Sequence, residues 1–504
     1  MRKKGARPEE ILPSLAEKGG VLGGSVREVS RETGVPEAEV WGAGTFYGLL
    51  AEPGERVRVC GGLSCHLAGT DRLCDDLRAE GHTVEQVSCL GRCDQAPAAL
   101  DPSLELLSGV EPGRVLPADR ELPIDLGGPD YGGYTALERA RDLGPAAVID
   151  LVEAAGLQGR GGAAFPAHLK WRAVRAARDA TRYLVVNADE GEPGTFKDRE
   201  VMLRRPHRLL EGAAIAAEAV GAREIVLYLR GEFLDCARSL ERALEEALPA
   251  LAGLTLHLHL GHGAYICGEE TALLESLEGR RGEPRLKPPF PTEAGLRGRP
   301  TLIHNVETLA CLPFVLTEGG EAFRALGRTE PGTKLYCASG AVKRPGVYEL
   351  PLGVTLDELV EAAGGYRGTP RAFSPGGASS GFLPMRERGR PLDVKHLAEV
   401  GSMLGSAGVV VLPDTVDLLE AARVQLAFFA AESCGQCAPC RIGTRFLLQA
   451  ATRFAGGEAA ALAHAGDVAW EMAEGSICGL GMSAASPLTS LQRHFPELFE
   501  GGEG

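Results

Sequence analysis

The fold is decided in a hydrophobic run that ends in a dense polar turn, Leu184-Val-Val-Asn-Ala-Asp-Glu-Gly-Glu192. A short apolar run closed by turn residues is typical of a buried strand. In open α/β sheets, ligands bind outside the carboxyl ends of the strands. The run therefore predicts a strand followed by a binding crevice, although a lone acidic turn could also be a solvated loop.

Strands and helices alternate on both sides of this run. Further strands are predicted at 225–229 and 254–259, with helices at 208–219 and 234–247. Alternation of this kind predicts a mostly parallel sheet with helical crossovers. We therefore expect a Rossmann-like domain.

The rest of the chain has other periodicities. Short helical periods at 11–50 precede a strand–helix–strand unit at 57–87, and the segment 334–363 has the element order of a β-grasp (ubiquitin-like) module. Helices predicted at 418–432, 441–455 and 459–474 indicate a C-terminal helical bundle. The predicted fold is a multidomain α/β protein with boundaries at 1–105, a Pro-, Gly- and Asp-rich linker at 106–134, 135–330, 331–415 and 416–504.

Composition restricts the class of protein. A chain of 504 residues is too long for one hydrophobic core. Its net charge of −15, without a run of basic residues, argues against nucleic-acid binding. The sequence has no apolar stretch long enough to span a bilayer, and residues 1–10 lack the apolar core of an export signal, so we expect a cytoplasmic protein. There the 13 cysteines should be metal ligands or buried thiols rather than disulfides.

Two cysteine pairs lie in the first predicted α/β unit. Cys60-Gly-Gly-Leu-Ser-Cys65 and Cys89-Leu-Gly-Arg-Cys93 could supply four thiolates to a [2Fe–2S] cluster. A structural zinc site with four cysteines is the alternative. Zinc ribbons prefer two residues between paired cysteines and these pairs have four and three, so the spacing favours the iron–sulfur cluster and leaves zinc open.

The C-terminal cysteines are spaced differently. Cys434-Gly-Gln-Cys437-Ala-Pro-Cys440 is followed far downstream by Cys478, an arrangement typical of a [4Fe–4S] cluster. Zinc is again an alternative, but the neighbouring Gly and Pro suit a bulkier cluster. The other cysteines stand singly in apolar or helical contexts and are expected to be buried: Cys74, Cys236, Cys267, Cys311 and Cys337.

A glycine-rich stretch at 156–171 is a candidate phosphate site. Its glycines match the dinucleotide-binding pattern formally, but a predicted helix at 146–155 precedes them where that motif needs a strand. Consecutive glycines can still close backbone N–H groups on a phosphate, and Arg160 and Lys170 add positive charge. A flexible surface loop is the alternative.

Two more segments could face the same crevice. Tyr265-Ile-Cys-Gly-Glu-Glu270 follows a strand region and opens a predicted helix. Lys287-Pro-Pro-Phe290 offers a cation and a ring that could stack on a base or a nicotinamide, although it could equally be a surface turn.

Together these motifs resemble the flavoprotein (diaphorase) subunits of respiratory NADH dehydrogenase, NAD-linked formate dehydrogenases and NAD-linked hydrogenases. Residues 135–504 resemble the flavin subunit, and residues 10–105 resemble its thioredoxin-like [2Fe–2S] partner. The fused layout looks most like a formate dehydrogenase β subunit. The resemblance implies transfer of electrons between NAD(H) and the clusters through FMN, in a complex with other redox subunits such as a formate dehydrogenase catalytic subunit.

The resemblance also implies a set of site residues. Those assigned to FMN are Gly159, Arg160, Gly161, Gly162, Lys170, Asn187, Asp189, Tyr265, Gly268, Glu269 and Asn305, and Glu190 and Thr308 are assigned to cofactor binding without a choice between FMN and NADH. Those assigned to NADH are Phe165, Glu192, Glu270, Lys287 and Phe290, with Glu192 in the catalytic role. His304 stands where the family commonly has a second Asn. Two alternatives stay open: the same module of a hydrogenase or respiratory complex, and a flavin-free iron–sulfur relay or assembly subunit.

Overall fold

A computed structural model describes residues 5–51, 54–107, 122–128 and 133–500. Much of the predicted linker, residues 108–121 and 129–132, lies outside this part, as do the first four residues of the chain. Among the described helices, none combines the length and the apolar content needed to cross a bilayer.

The described strands form a three-stranded, a four-stranded and a five-stranded sheet, with the orders β2-β1-β3, β6-β5-β4-β7 and β11-β10-β12-β8-β9. In chain order the strands are β1 Val57–Cys60, β2 Val84–Val87, β3 Ala99–Leu100, β4 Tyr183–Ala188, β5 Glu224–Leu229, β6 Thr255–Leu260, β7 Thr301–Asn305, β8 Thr333–Gly340, β9 Gly346–Pro351, β10 Pro370–Ser374, β11 Leu383–Pro384 and β12 Gly408–Pro413.

The N-terminal part is a helical lead-in followed by the predicted α/β unit. Strand β1 pairs in parallel with β2 and antiparallel with β3. Two hydrogen bonds attach the lead-in to the next domain. Tyr47 Oη donates to the carbonyl of Arg280 at 2.6 Å. The N–H of Leu49 donates to the carbonyl of His262 at 3.0 Å. The helices here are Ile11–Glu17, Ser25–Thr33, Glu37–Gly44, Gly48–Ala51, Leu63–Ala68 and Thr70–Ala79.

The second domain is the predicted Rossmann-like unit. All pairs in its sheet are parallel. Strand β4 is apolar on both faces because Leu184 and Val186 pack into one core while Tyr183 and Val185 pack into another. The helices are Thr135–Leu143, Pro145–Ala155, Ala167–Ala176, Lys197–Arg204, Pro206–Val220, Leu234–Ala247, Glu270–Leu277, Pro291–Ala294, Val306–Ala310, Leu312–Glu318 and Gly320–Ala325.

The third domain has the β-grasp arrangement predicted for it. The hairpin β8–β9 is antiparallel, and β12 returns in parallel beside β8. The helix Leu356–Ala362 crosses the sheet and begins at a capping box of Thr355 and Glu358. A second helix is Val394–Glu399.

The C-terminal part is the predicted helical bundle, with one difference. The prediction of a continuous helix at 459–474 was wrong: residues Ala459–Leu462 form a single 3-10 turn, and the α-helix begins at Ala465. Ala459 and Ala460 are exposed while Leu462 packs against the core, so little burial supports a continuous α-helix over this segment. The helices are Leu418–Glu432, Ala438–Ala455, Ala465–Gly475, Gly479–Ser483 and Ser486–His494.

Candidate functional site

A crevice opens at the carboxyl ends of β4 and β7, the strands between which the sheet order reverses. Asn187, one residue before the end of β4, and Asn305, the last residue of β7, lie opposite each other in register. Two adjoining cavities of about 570 and 560 Å³ share both asparagines and Gly161. The predicted loops at 156–171 and 265–270 therefore meet the turn after β4 at one place.

The glycine-rich loop lines both cavities. The helix Pro145–Ala155 precedes it, as predicted, and the N–H of Gly159 donates to the carbonyl of Phe165 at 2.9 Å. A Cβ on Gly161 would lie 2.9 Å from the Cβ of Asn305, closer than side chains pack, so this approach requires glycine. The loop is thus held against the sheet rather than free at the surface.

Arg160 differs from its prediction. Its backbone N–H donates to Thr308 Oγ1 at 2.8 Å, on the crevice wall. Its guanidinium, however, donates to the carbonyl of Pro331 at 2.7 Å and lies 6.0 Å from the centre of the Phe323 ring. Because the long side chain is packed beneath the loop, the positive charge expected at the phosphate is absent from the cavity lining, and Lys170 is the cation of this loop that lines it.

A lysine–glutamate cluster of Lys170, Glu269, Glu270 and Lys287 stands on one side of the crevice. Lys170 and Lys287 donate to the two oxygens of Glu270 at 2.7 and 2.8 Å. Burial raises the pKa of Glu270, but the charges of both lysines outweigh it and lower that pKa to about 2. Glu269 accepts from Lys287 at 3.0 Å and also caps the helix Glu270–Leu277.

His304 is buried in the cavity wall beside Asn305. Trp171 Nε1 donates to His304 Nε2 at 2.7 Å. Burial lowers the pKa of His304 to about 3, so its ring is neutral and its Nδ1 carries the proton. His304 therefore adds no positive charge to the crevice.

The turn after β4 carries a buried acceptor without a partner. Asn187 Nδ2 donates to the carbonyl of Gly268 at 2.8 Å, which joins this turn to the 265–270 loop. Asp189 Oδ2 is buried and has no hydrogen-bond partner in the described structure, and burial raises the pKa of its carboxyl to about 8. A buried carboxyl oxygen without a partner at a crevice fits a hydrogen bond with a bound cofactor, and because the raised pKa keeps this carboxyl protonated at neutral pH, it can donate as well as accept.

Glu190 has a supporting place in the same turn. Its carboxylate accepts from the N–H groups of Asp198 and Arg199 at 2.9 and 3.0 Å, at the start of the helix Lys197–Arg204. Carboxylates are stabilised at helix N-termini, although burial raises the pKa of Glu190 to about 7. The turn is thereby anchored to the helix behind it.

A buried charge network lies at the cavity of about 560 Å³, whose wall includes Lys197 and Asp198. Lys197 Nζ lies 2.7 Å from Asp198 Oδ1 and 3.0 Å from Glu307 Oε2, and Lys334 of the β-grasp domain also donates to Glu307. Asn305 Nδ2 donates to Asp198 Oδ2 at 2.6 Å, so the network positions one of the crevice asparagines. Sequence reasoning missed this network because Glu307 and Lys334 stand in different elements without a local pattern.

Glu192 is a fixed acceptor in the second cavity. Tyr265 Oη donates to its Oε2 at 2.5 Å, and the N–H of Ser379 donates to its Oε1 at 2.9 Å. Burial raises the pKa of Glu192, and these two hydrogen bonds oppose the increase. The turn after β4 and the 265–270 loop, which were expected to face one crevice, are therefore in direct contact.

The second cavity also has walls that the motifs did not predict. The β-grasp domain and the C-terminal part contribute Gly376, Ser379, Met403, Gly405, Ser406, Gly479, Leu480, Met482, Ser483 and Ser486. The Gly- and Ser-rich stretch at 374–381 was the available signal, since such residues let a backbone approach a ligand closely.

The four C-terminal cysteines gather at one helix end. Cys437 caps the helix Ala438–Ala455, and Cys440 lies in its first turn. Burial raises the pKa of Cys440 to about 12 and that of Cys478 to about 11, with the neighbouring thiols, Cys434 among them, adding to the increase. Four adjacent sulfurs fit an iron–sulfur cluster, whose irons replace the thiol protons.

The N-terminal cysteines form a second buried set. Hydrogen bonds with Cys65 and Cys89 raise the pKa of Cys60, and the Cys93 thiol hydrogen-bonds with Cys89 in the same way. A Cβ on Gly62 would lie 3.5 Å from the sulfur of Cys60 and 3.7 Å from that of Cys89. The glycine therefore leaves space beside the sulfurs, as a cluster requires. The single cysteines are buried, as predicted: Cys74, Cys236, Cys267, Cys311 and Cys337.

Comparison with known proteins gives these sites a family. Four family models match the chain: the Nuo51 FMN-binding domain at 152–313, the NADH-ubiquinone oxidoreductase-F iron-sulfur binding region at 420–502, the SLBB domain at 336–383 and the thioredoxin-like [2Fe-2S] ferredoxin at 9–101. The NADH-quinone oxidoreductase F subunit numbered 2 of Rhizobium meliloti (strain 1021) is 45% identical over 391 residues, which cover 73% of this chain and 91% of the relative. The chain belongs to the family of NADH-quinone oxidoreductase F subunits.

Other relatives agree with this assignment. The NADH-quinone oxidoreductase F subunit of Mycobacterium tuberculosis (strain ATCC 25618 / H37Rv) is 44% identical over 395 residues, covering 74% of this chain and 89% of the relative. Among solved structures, a chain of an NAD+-reducing [NiFe]-hydrogenase in the air-oxidised state superimposes with a TM-score of 0.90 at 33% identity. That match covers 98% of this chain and 93% of the other, so it includes the N-terminal [2Fe–2S] part.

As a member of this family, the chain has sites for FMN, a [4Fe–4S] cluster and a [2Fe–2S] cluster. The crevice fits FMN. The C-terminal thiols fit the [4Fe–4S] cluster, and the N-terminal thiols fit the [2Fe–2S] cluster. The zinc alternatives and the flavin-free relay are therefore wrong.

Proposed function

We propose that this member of the oxidoreductase F family oxidises NADH in the crevice and delivers the electrons to its [4Fe–4S] site, as the NAD(H)-handling subunit of a formate dehydrogenase. The observation that carries the proposal is the continuity of the second cavity, whose wall extends from Gly161 to Gly479 and Leu480, directly after Cys478. FMN bound there supplies the conversion between two-electron and one-electron chemistry.

The residues around the crevice have separate tasks in this proposal. Phe165 and Phe290 are half-exposed aromatic side chains on the first cavity and suit stacking against the rings of a dinucleotide. The lysine–glutamate cluster lies beside them and suits the ribose and phosphates. Glu192, fixed by Tyr265 and Ser379, offers a preorganised acceptor to the amide of a nicotinamide.

The direct test uses the full chain, purified anaerobically and reconstituted with FMN, iron and sulfide. Adding NADH should bleach the flavin absorption and drive reduction of a viologen dye by the chain. Formate without NADH should do neither, because this chain is proposed to carry only the NAD(H) side. A loaded chain that NADH leaves fully oxidised would contradict the proposal.

The catalytic partner has two candidates. The fused layout resembles a formate dehydrogenase β subunit, whereas the superposition over 98% of the chain is with an NAD+-reducing hydrogenase. Purification of the tagged chain from its native cells, followed by assays of formate-dependent and hydrogen-dependent NAD+ reduction, separates them. Hydrogen-dependent activity alone would overturn the formate part and leave NADH oxidation standing.

Replacing Glu270 with Gln should improve the use of NADPH. The two lysines and two glutamates of the cluster carry no net charge. The substitution removes one negative charge, so the cluster beside the crevice then has a net positive charge. If Glu270 faces the adenosine ribose, its carboxylate repels a 2′-phosphate. We expect kcat/KM for NADPH relative to NADH to rise about tenfold or more, since 1.4 kcal/mol is tenfold in affinity.

The matched control is Glu293→Gln, an exposed glutamate in the neighbouring helix Pro291–Ala294 that is not part of the first cavity wall. It should leave the cofactor preference unchanged. Equal use of both cofactors by the parent chain, or an unchanged ratio in Glu270→Gln, would remove Glu270 from this role.

Replacing Tyr265 with Phe should shift the pH profile. Burial raises the pKa of Glu192, and the Tyr265 hydroxyl opposes this by donating to the ionised carboxylate. Without that donor the pKa of Glu192 rises further. Protonation of Glu192 therefore inactivates the variant at a higher pH than it inactivates the parent chain. The acid limb of kcat/KM for NADH should move up by about one pH unit while the alkaline plateau stays. Tyr366→Phe, which removes a hydroxyl bonded to Asp357, is the control, and the same shift in it would refute the role.

A further inference from the structure

The cysteine loop of the [2Fe–2S] site is inserted into the FMN domain. A Cβ on Gly91 would lie 2.7 Å from Phe233 Cζ, so the backbone of this loop lies directly on that ring. Arg92 extends over the same ring and donates to Asp235 at 2.9 Å. The loop between Cys89 and Cys93 is therefore surrounded by groups of the neighbouring domain, and those groups set its electrostatic environment.

Two buried arginines of the FMN domain hold this loop. Arg199 donates to the carbonyl of Gly91 at 2.9 Å and to Asp94 at 2.7 Å. Arg230 donates to the carbonyl of Cys89 at 2.5 Å. Arg230 thus reaches the backbone of a cluster ligand, whereas Arg199 reaches residues beyond it.

The two arginines differ in how their charges are balanced. Arg199 is paired with both Asp94 and Glu200, at 2.7 and 2.9 Å. Arg230 is paired with Glu232 at 3.1 Å, and its charge also interacts with those of Asp189 and Glu432 across a cavity of about 480 Å³ that all four residues line. Arg230 therefore lies at the backbone of Cys89 with Glu232 as its direct carboxylate partner, so the two charges act on the cysteine loop with opposite signs.

Reduction of the cluster adds one electron and no atom, so it adds one negative charge beside Cys89. A buried cation stabilises that charge strongly because the surroundings screen it poorly.

We propose that Arg230 and Glu232 set the reduction potential of the [2Fe–2S] cluster in opposite directions, the guanidinium raising it and the carboxylate lowering it. Both are positioning residues that act on the cluster through the Cys89 loop from the neighbouring domain. The inference concerns neither NADH nor the catalytic partner, and it goes beyond the proposed function.

The experiment is a redox titration of the full, cluster-loaded chain with mediator dyes and dithionite, followed by low-temperature electron paramagnetic resonance. Arg230→Gln should lower the midpoint of the [2Fe–2S] signal, and Glu232→Gln should raise it. Each change should be about tenfold in the equilibrium constant for reduction, which is ~59 mV for one electron. The [4Fe–4S] midpoint serves as the internal reference in each variant.

Arg230→Lys keeps the charge and should stay near the parent midpoint, which keeps the proposal testable if Arg230→Gln fails to fold. Arg238→Gln is the matched control, because Arg238 also bridges the two domains, to Glu105 at 2.7 Å, but both side chains are exposed and screened by water. Shifts of the same sign in Arg230→Gln and Glu232→Gln would indicate a merely structural effect and overturn the proposal. So would shifts no larger than that of Arg238→Gln.

Discussion

The chain with Cys437 replaced by Ser should lose its [4Fe–4S] cluster and keep its [2Fe–2S] cluster. Cys437 caps the helix that carries Cys440, so its sulfur stands at the helix N-terminus, where negative charge is stabilised. A serine hydroxyl resists the deprotonation that iron binding requires, and a cube with one ligand missing is exposed to solvent at that corner.

The measurements are iron per chain and the low-temperature paramagnetic spectrum of the reduced protein. The signal of the cube should disappear, and NADH-dependent reduction of large acceptors should fall by on the order of a hundredfold or more, which is about 3 kcal/mol in barrier. FMN content should be retained, because Cys437 does not line either cavity of the crevice. Cys74→Ser, a buried thiol outside both cysteine sets, should leave both signals intact, and an unchanged spectrum in Cys437→Ser would refute the ligand assignment.

Replacing Glu307 with Gln should destabilise the fold by about 3–5 kcal/mol, the usual cost of removing one partner from a buried ion pair. Glu307 is the shared carboxylate of Lys197 and Lys334, and all three side chains are almost fully buried. Urea unfolding followed by tryptophan fluorescence would measure the loss, because Trp171 is buried in the same domain whereas Trp41 and Trp470 are already exposed in the folded protein. Because Asn305 is bonded to this network through Asp198, FMN affinity should fall as well.

The loss should also depend on pH. Burial lowers the pKa of Lys334 to about 8 even with Glu307 beside it, and without Glu307 the pKa falls further. The folded variant then binds fewer protons than the unfolded chain at neutral pH, so its stability rises with pH. The difference from the parent should be largest near pH 6 and smaller above pH 9. An equal loss in Glu318→Gln, an exposed glutamate, would contradict this explanation.

Local sequence patterns were sufficient to predict the structure where all the residues of the pattern lie in one element. The apolar run before Asn187 is buried on both faces of a parallel sheet, and the predicted strand and turn are both present. The close spacing within Cys60–Cys65, Cys89–Cys93 and Cys434–Cys440 likewise indicated candidate ligands from the local sequence alone. In these places local sequence and tertiary environment favour the same conformation.

Patterns were insufficient where the environment is made by distant segments. The second cavity takes walls from Ser379 and Leu480, which no spacing connects to Asn187. The guanidinium of Arg160 lies beneath its own loop because Phe323 and Pro331 receive it there, and neither residue is near it in the chain. At 459–462 helix propensity was likewise not sufficient, because the exposed Ala459 and Ala460 would gain little burial from a continuous α-helix.

Tyr47 and Leu49 anchor the N-terminal lead-in to the FMN domain of the same chain, so the association of the two domains does not depend on the protein concentration. Two domains on one chain meet at an effective concentration in the millimolar range, whatever the concentration of the protein itself. Contacts between the two domains therefore persist when the protein is diluted, whatever affinity the same surfaces would have as separate polypeptides. Each molecule made by the ribosome carries both cluster domains in a fixed one-to-one ratio.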